Sequence, residues 1–274
     1  MVTGVNDMTG KLYIVGIGPG GYEHITPSAV KAIEASDTVV GYTTYINLIR
    51  DLLTGKEVYS TGMTGEIDRC RRALGMASRG RTVSLVCSGD PGIYAMAGLL
   101  FELLKNSSVP AKEDGEILTP IPDSQPSFPD IEVVPGIPAL SACASRLGAP
   151  IMHDFASISL SDRLTPWEKI EQRLHAAAGA DFVIVLYNPK SRGRKEHLAR
   201  AVKIISLYRD AETPVGIVKA ATRAGEERIT TVLGRIPYER VDMQSTVIVG
   251  NSSTFIWNEY MITPRGYHEK YSVV

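Results

Sequence analysis

The feature that most constrains this chain is a strand that ends in a breaker-rich loop and runs straight into a helix. In TVSLVCSGDPGIYAMAGLL (82–100), the short β-branched, apolar run Thr82–Cys87 suits a buried strand. Ser88-Gly89-Asp90-Pro91-Gly92 then forces a tight turn, because glycine frees φ and proline fixes it. Apolar residues at helical spacing follow over Tyr94–Leu104. Such a unit sets backbone amides and one carboxylate at the carboxyl end of a sheet, where open α/β sheets bind small ligands. The same spacing also allows a plain turn with Asp90 as a helix cap.

A second loop of this kind follows the strand Lys11–Ile17. Gly16-Ile17-Gly18-Pro19-Gly20-Gly21 matches G-x-G-x-x-G letter for letter, and Thr26-Pro27 then opens a helix as N-cap and first residue. A dinucleotide reading fails on chemistry. Pro19 removes a donor from the loop, the helix starts well beyond the last glycine, and Asp37 precedes the strand Thr38–Val40 instead of ending it.

Strands and helices go on alternating, with helices at Tyr45–Leu53 and Glu66–Ser78 and a strand at Glu57–Ser60, which predicts a parallel, doubly wound sheet. Arg69, Arg71 and Arg72 read as a solvated helix face. The stretch 105–130 breaks the rhythm with prolines and small polar residues and reads as an irregular insertion at a domain boundary. The expected domains are 10–130 and 131–274. The second holds strands at Ile131–Val134, Ala156–Leu160, Asp181–Tyr187, Pro214–Lys219, Ile229–Leu233 and Thr246–Gly250. Its helices are Ala139–Leu147, Trp167–Ala178 (capped by Thr165, with Glu168 completing a capping box) and Glu196–Tyr208. The tail Ile262–Tyr267 is expected to return over the surface.

A length of 274 residues, 44% hydrophobic and 22% charged, fits one large or two ordinary globular domains. A net charge of −1 offers nucleic acid or an anionic membrane no global attraction. No apolar run approaches the roughly 20 residues of a membrane span. Cys70, Cys87 and Cys143 lie far apart in apolar contexts, without metal-ligand spacing, and read as reduced core residues of a cytoplasmic protein. No metal is expected.

Gly-Ile-Gly-Pro-Gly (16–20), Ser-Gly-Asp-Pro-Gly-Ile-Tyr (88–94) and Val-Val-Pro-Gly-Ile (133–137) stand in the order and spacing of the tetrapyrrole (uroporphyrinogen/precorrin) methylases, which the chain resembles over residues 10–267. Gly-Ala-Pro-Ile-Met-His-Asp-Phe (148–155), Ile-Ser-Leu-Ser-Asp (158–162), Thr-Pro-Trp-Glu (165–168), Tyr-Asn-Pro-Lys-Ser (187–191) and Ile-Thr-Pro-Arg-Gly-Tyr (262–267) are similar to the branch that methylates carbon 17 of precorrin-3B. The resemblance implies an α/β fold of two domains with a ligand cleft between them, a homodimer, and S-adenosylmethionine (SAM) as methyl donor. It also implies ring contraction of a tetrapyrrole acceptor, either precorrin-3B or its cobalt-containing counterpart. Another methylase of the family, an NAD-dependent oxidoreductase and a SAM- or tetrapyrrole-binding protein without turnover are the alternatives.

By the same resemblance, Gly89, Asp90, Ile93, Ser141, Ala142, Tyr187, Asn188, Ala221 and Thr246 contact the donor, and Gly18, Pro19 and Gly20 face the acceptor. Arg192, Arg194, Lys195 and Arg223 follow strand ends and suit the acceptor's carboxylates, since arginine forks match carboxylates bidentately. A solvated basic turn is the competing reading of that run. His24 and His153 are candidates for the proton transfers that ring contraction requires, because histidine titrates near working pH.

Overall fold

The computed structural model describes residues 10–106, 112–113, 116–117, 128–191 and 193–271, the side chains at 112–113, 116–117 and 268–269 aside. The chain divides into two compact units, Met1–Pro138 and Ala139–Val274.

The first unit begins with β1 (Lys11–Gly16), α1 (Pro27–Ala35), β2 (Thr38–Tyr42), α2 (Thr43–Leu48), β3 (Glu57–Thr61), α3 (Glu66–Ala77), β4 (Thr82–Cys87) and α4 (Met96–Lys105). It ends with the short antiparallel pair β5 (Lys112–Glu113) and β6 (Glu116–Ile117), and with β7 (Asp130–Val134). Its main sheet is parallel, in the order β3-β2-β4-β1-β7. Apolar residues fill both faces of the central strands. Leu12, Ile14, Val40 and Leu85 pack with residues of α3 and α4, while Val15, Val39 and Val86 pack with residues of α1 and α2. The expected doubly wound sheet is therefore present here. Thr26 caps α1 as expected, accepting from Ala29 N–H at 3.2 Å.

Two expectations for this half change. The strand expected to open the second domain at 131 is β7, which pairs with β1 while Lys11 bridges Asp130 and Glu132 at 2.8 and 2.9 Å. Strand–helix alternation cannot say which neighbour a strand chooses, and the change of unit falls after Pro138. Arg69 is not solvated: it is 3% exposed, and its Nη1 donates to Thr61 Oγ1 at 2.6 Å and to Gly62 O at 3.0 Å. Most of the predicted insertion at 105–130 lies outside the described residues.

The second unit runs α5 (Ala139–Leu147), β8 (Gly148–Ala149), β9 (Phe155–Ser159), α6 (Trp167–Gly179), β10 (Val183–Tyr187), α7 (His197–Ile205), β11 (Pro214–Lys219), β12 (Glu227–Val232), β13 (Ser245–Val249), β14 (Phe255–Trp257), β15 (Tyr260–Ile262) and α8 (Tyr267–Lys270). Its main sheet, β12-β11-β13-β10-β9, departs from the first unit's pattern, because only β9 and β10 are parallel. The hairpin from β11 to β12 and the return of β13 reverse direction without a helical crossover, so the later pairs are antiparallel. Thr165 makes no cap: Pro166 holds that position and no side chain bonds the first turn of α6. Leu147 of α5 lies on Gly216, where a Cβ would come within 2.3 Å of Leu147 Cδ1, so a bare backbone in mid-strand lets the helix sit close. The tail does not simply cross the surface. Thr263 is buried and donates to Pro150 O at 2.7 Å.

Cys70, Cys87 and Cys143 are free and buried, and burial pushes their thiols up to about 12, 11 and 11, values at which they stay protonated and unreactive. Among the described residues no helix is long and apolar enough to cross a membrane.

Candidate active site

The carboxyl ends of β1, β4 and β7 meet through bare backbone. Gly18 and Gly89 exchange hydrogen bonds, Gly18 N–H to Gly89 O at 3.2 Å and Gly89 N–H to Gly18 O at 2.7 Å. A Cβ on Gly136 would come within 2.1 Å of Gly89 O and 2.6 Å of Gly16 O, so three loops interlock where no side chain fits. The loop with the dinucleotide-like lettering thus forms a bridge to its neighbour, and the turn Tyr22–His24 separates it from α1. Gly18, Pro19 and Gly20 are all buried, and the backbone of His24 folds against Gly18.

Asp90 ties this edge together. Its Oδ1 accepts from Gly92 N–H at 2.8 Å and its Oδ2 from Gly136 N–H at 3.2 Å, while Ile93 N–H donates to Asp90 O at 3.3 Å. It does not cap α4, whose N-cap is Ala95. The residue after Ile93, Tyr94, holds φ at +52°, unusual for a side chain of that size.

In the second unit, the ends of β9, β10 and β11 and the start of β13 form the corresponding edge. Tyr187 OH accepts from Leu140 N–H at 2.8 Å, Asn188 Nδ2 donates to Ser159 Oγ at 2.9 Å, and Thr246 bonds the Cys143 thiol. On α5, Ser141 is exposed and Ala142 is 4% exposed, so the small-residue face splits between surface and core. Asn188, Ala220 and Thr222 all lie in the left-handed region, at φ of +53°, +48° and +63°. Asparagine tolerates this, but for alanine and a β-branched threonine it costs roughly 1–2 kcal/mol per residue. Ala221, between two of them, is 7% exposed.

The basic turn divides. Ser191 and Arg194 close it with two backbone bonds of 3.1 Å, and Arg194 is 9% exposed and donates to Ser161 Oγ at 2.7 Å. Arg194 therefore braces the turn and does not reach outward as expected. Lys195 is exposed, Arg223 is half-buried, and Arg192 lies outside the described residues.

His153 stands apart from these residues. It precedes β9, at the sheet end opposite Tyr187 and Asn188, and accepts from Asp154 N–H at 2.7 Å through Nδ1. With Asp181, Asn251 and Arg265 it lines a separate cavity of about 630 Å³.

Sequence reasoning passed over a histidine at the edge that carries Tyr187 and Asn188. His197 Nε2 lies 3.0 Å from Asp162 Oδ2, its ring meets Trp167 edge-on at 4.7 Å, and its hydrogen bond holds the Asp162 carboxyl below the ordinary range. The two residues are far apart in the chain, and only the parallel pairing of β9 and β10 brings them together. No local pattern could have revealed the pair. Among the described residues no three His, Cys, Asp or Glu side chains gather as a metal would need.

Glycine loops thus interlock at the strand ends of the first unit's sheet, and turns at positive φ follow the strands of the second unit's sheet. Residues 11–237 match the model of the tetrapyrrole (corrin/porphyrin) methylases, and the chain belongs to that family. It is 48% identical over 266 residues to the cobalt-factor III methyltransferase of Priestia megaterium, covering 97% of this chain but only 47% of that protein. It is 47% identical to the probable cobalt-factor III C(17)-methyltransferase of Salmonella typhimurium, covering 93% of this chain and 99% of that one. The crystal structure of the methyltransferase CobJ matches with a TM-score of 0.82 at 33% identity, covering 93% of this chain and all of that one (100%).

Proposed function

We propose that this protein transfers a methyl group from SAM to carbon 17 of a corrinoid precursor, with ring contraction, in cobalamin biosynthesis. The observation that carries this reading is the 47% identity along 99% of a relative named for that reaction. The names of both relatives favour cobalt-factor III over the metal-free precorrin-3B as substrate.

Methyl transfer is an in-line displacement at a sulfonium carbon, so the protein's task is alignment, and holding two reactants in register supplies roughly 7–11 kcal/mol. Asp90, Tyr187 and Thr246 already spend side-chain bonds on neighbouring backbone or thiol groups. Their part is to present main chain to the donor, alongside Gly89, Ile93, Ser141, Ala142, Asn188 and Ala221. Gly18, Pro19 and Gly20 face the acceptor, and Lys195, Arg192 and Arg223 meet its carboxylates. His24 is the histidine we retain for proton transfer, and the assembly we expect is a cytoplasmic homodimer.

The test is anaerobic incubation with SAM and either cobalt-factor III or precorrin-3B, with product mass and demethylated donor measured. A product heavier by one CH2 from cobalt-factor III supports the proposal. Donor bound without methyl transfer to either acceptor overturns it.

A further inference from the structure

Ala221 is buried, yet among the described residues neither its N–H nor its C=O meets a hydrogen-bond partner. Buried backbone groups are nearly always paired, so an unpaired donor and acceptor on one residue point to something that completes them. The flanking geometry leaves the pair open. Ala220 N–H donates to Gln244 O at 3.1 Å and Ala220 O accepts from Arg223 N–H at 2.9 Å, which uses up its own groups. Thr222 turns its N–H away, onto Glu226 Oε2 at 2.6 Å. Two residues at positive φ enclose Ala221, and an isolated chain would relax that turn.

Glu226 is itself held. Arg146, in the last turn of α5, donates to the same Oε2 through Nε at 3.0 Å, and Arg228 Nη1 donates to Arg146 O at 2.9 Å while pairing with Glu259. The helix that carries Ser141 and Ala142 is thereby tied to the strained turn through one carboxylate. As an exposed ion pair this would stabilise little. It is also a charge-assisted bond to the amide of a strained threonine, a kind roughly twice as strong as a neutral one.

We propose that Glu226 is a positioning residue for donor binding, which bonds Thr222 N–H and so keeps the backbone of Ala221 open to SAM. This rests on SAM being the donor.

The test measures the affinity for S-adenosylhomocysteine by titration calorimetry, and the melting temperature, for wild type, Glu226→Ala, Glu226→Gln and Thr222→Gly. Glu226→Ala should weaken binding about 10- to 100-fold, the range that a hydrogen bond to a charged group supports. Glu226→Gln keeps an oxygen acceptor and should recover most of that loss. Thr222→Gly keeps the N–H and is at ease at positive φ, so its affinity should stay near wild type while its melting temperature holds or rises. Lost affinity in Glu226→Ala at an unchanged melting temperature is a split that a merely structural role would not produce. Should Glu226→Ala fail to fold, Glu226→Ser, too short to reach Thr222 N–H, carries the same prediction. Wild-type affinity in Glu226→Ala or Glu226→Ser, or lost affinity in Thr222→Gly, overturns the proposal. A wild-type protein that does not bind the ligand overturns the donor assignment instead, and this inference with it.

Discussion

The hydroxyl of Tyr187, at the end of β10, accepts a hydrogen bond from Leu140 N–H at 2.8 Å in the first turn of α5. A strand end thus satisfies a helix donor that would otherwise lack a partner. Tyr187→Phe leaves that amide unpaired beside the buried Leu140 and should cost about 1–3 kcal/mol in chemical denaturation. An unchanged denaturation midpoint would mean that water replaces the hydroxyl.

Gly136 has backbone oxygens where a side chain would be, Gly89 O at 2.1 Å and Gly16 O at 2.6 Å from the place a Cβ would take. Both neighbours belong to paired strand ends and cannot retreat alone. Gly136→Ala should therefore destabilise the first unit by about 3 kcal/mol or more. Its yield of soluble protein should fall, and any that folds should melt earlier than wild type.

Asp162 and His197 make the fold acid-sensitive. The hydrogen bond from His197 lowers the folded carboxyl below its ordinary 3.8. The unfolded chain therefore takes up the proton first as pH falls. The stability contributed by Asp162 is fully present above 3.8 and is lost as pH drops through the lowered folded value. Asp162→Asn should lower stability at neutral pH and flatten its decline below pH 3.8, read from denaturation midpoints across pH. An unaltered slope would place the acid sensitivity in other carboxylates.

Arg194 and Lys195 are neighbours with opposite exposure. Lys195→Ala should raise the acceptor's Michaelis constant and weaken its salt dependence without moving the melting temperature, since a charge at an exposed rim steers its ligand and is screened over roughly 8–10 Å. Arg194→Ala should lower the melting temperature, because it removes the 2.7 Å bond to Ser161 that braces the turn. Steady-state kinetics at two salt concentrations, with thermal melts, separate the two effects.

Much of this protein can be read from its letters. Short β-branched runs ending in glycine, aspartate and proline set the strands of the first unit and the loops at their carboxyl ends, because φ restriction and burial are properties of the residues themselves. The ordered motifs were enough to indicate the family. Tertiary structure decided what depends on neighbours remote in the chain. Strand–helix alternation looks the same whichever strand is adjacent, so it could neither assign Asp130–Val134 to the first sheet nor turn β11, β12 and β13 antiparallel. Nor can a charged letter show whether its side chain has an internal partner. Arg69 read as a solvated arginine and Arg194 as one reaching for the acceptor, and each is buried on a hydroxyl or carbonyl that the fold delivers. His197 and Glu226 gain their roles the same way, because pairing energy depends on distance in space, which sequence separation does not record.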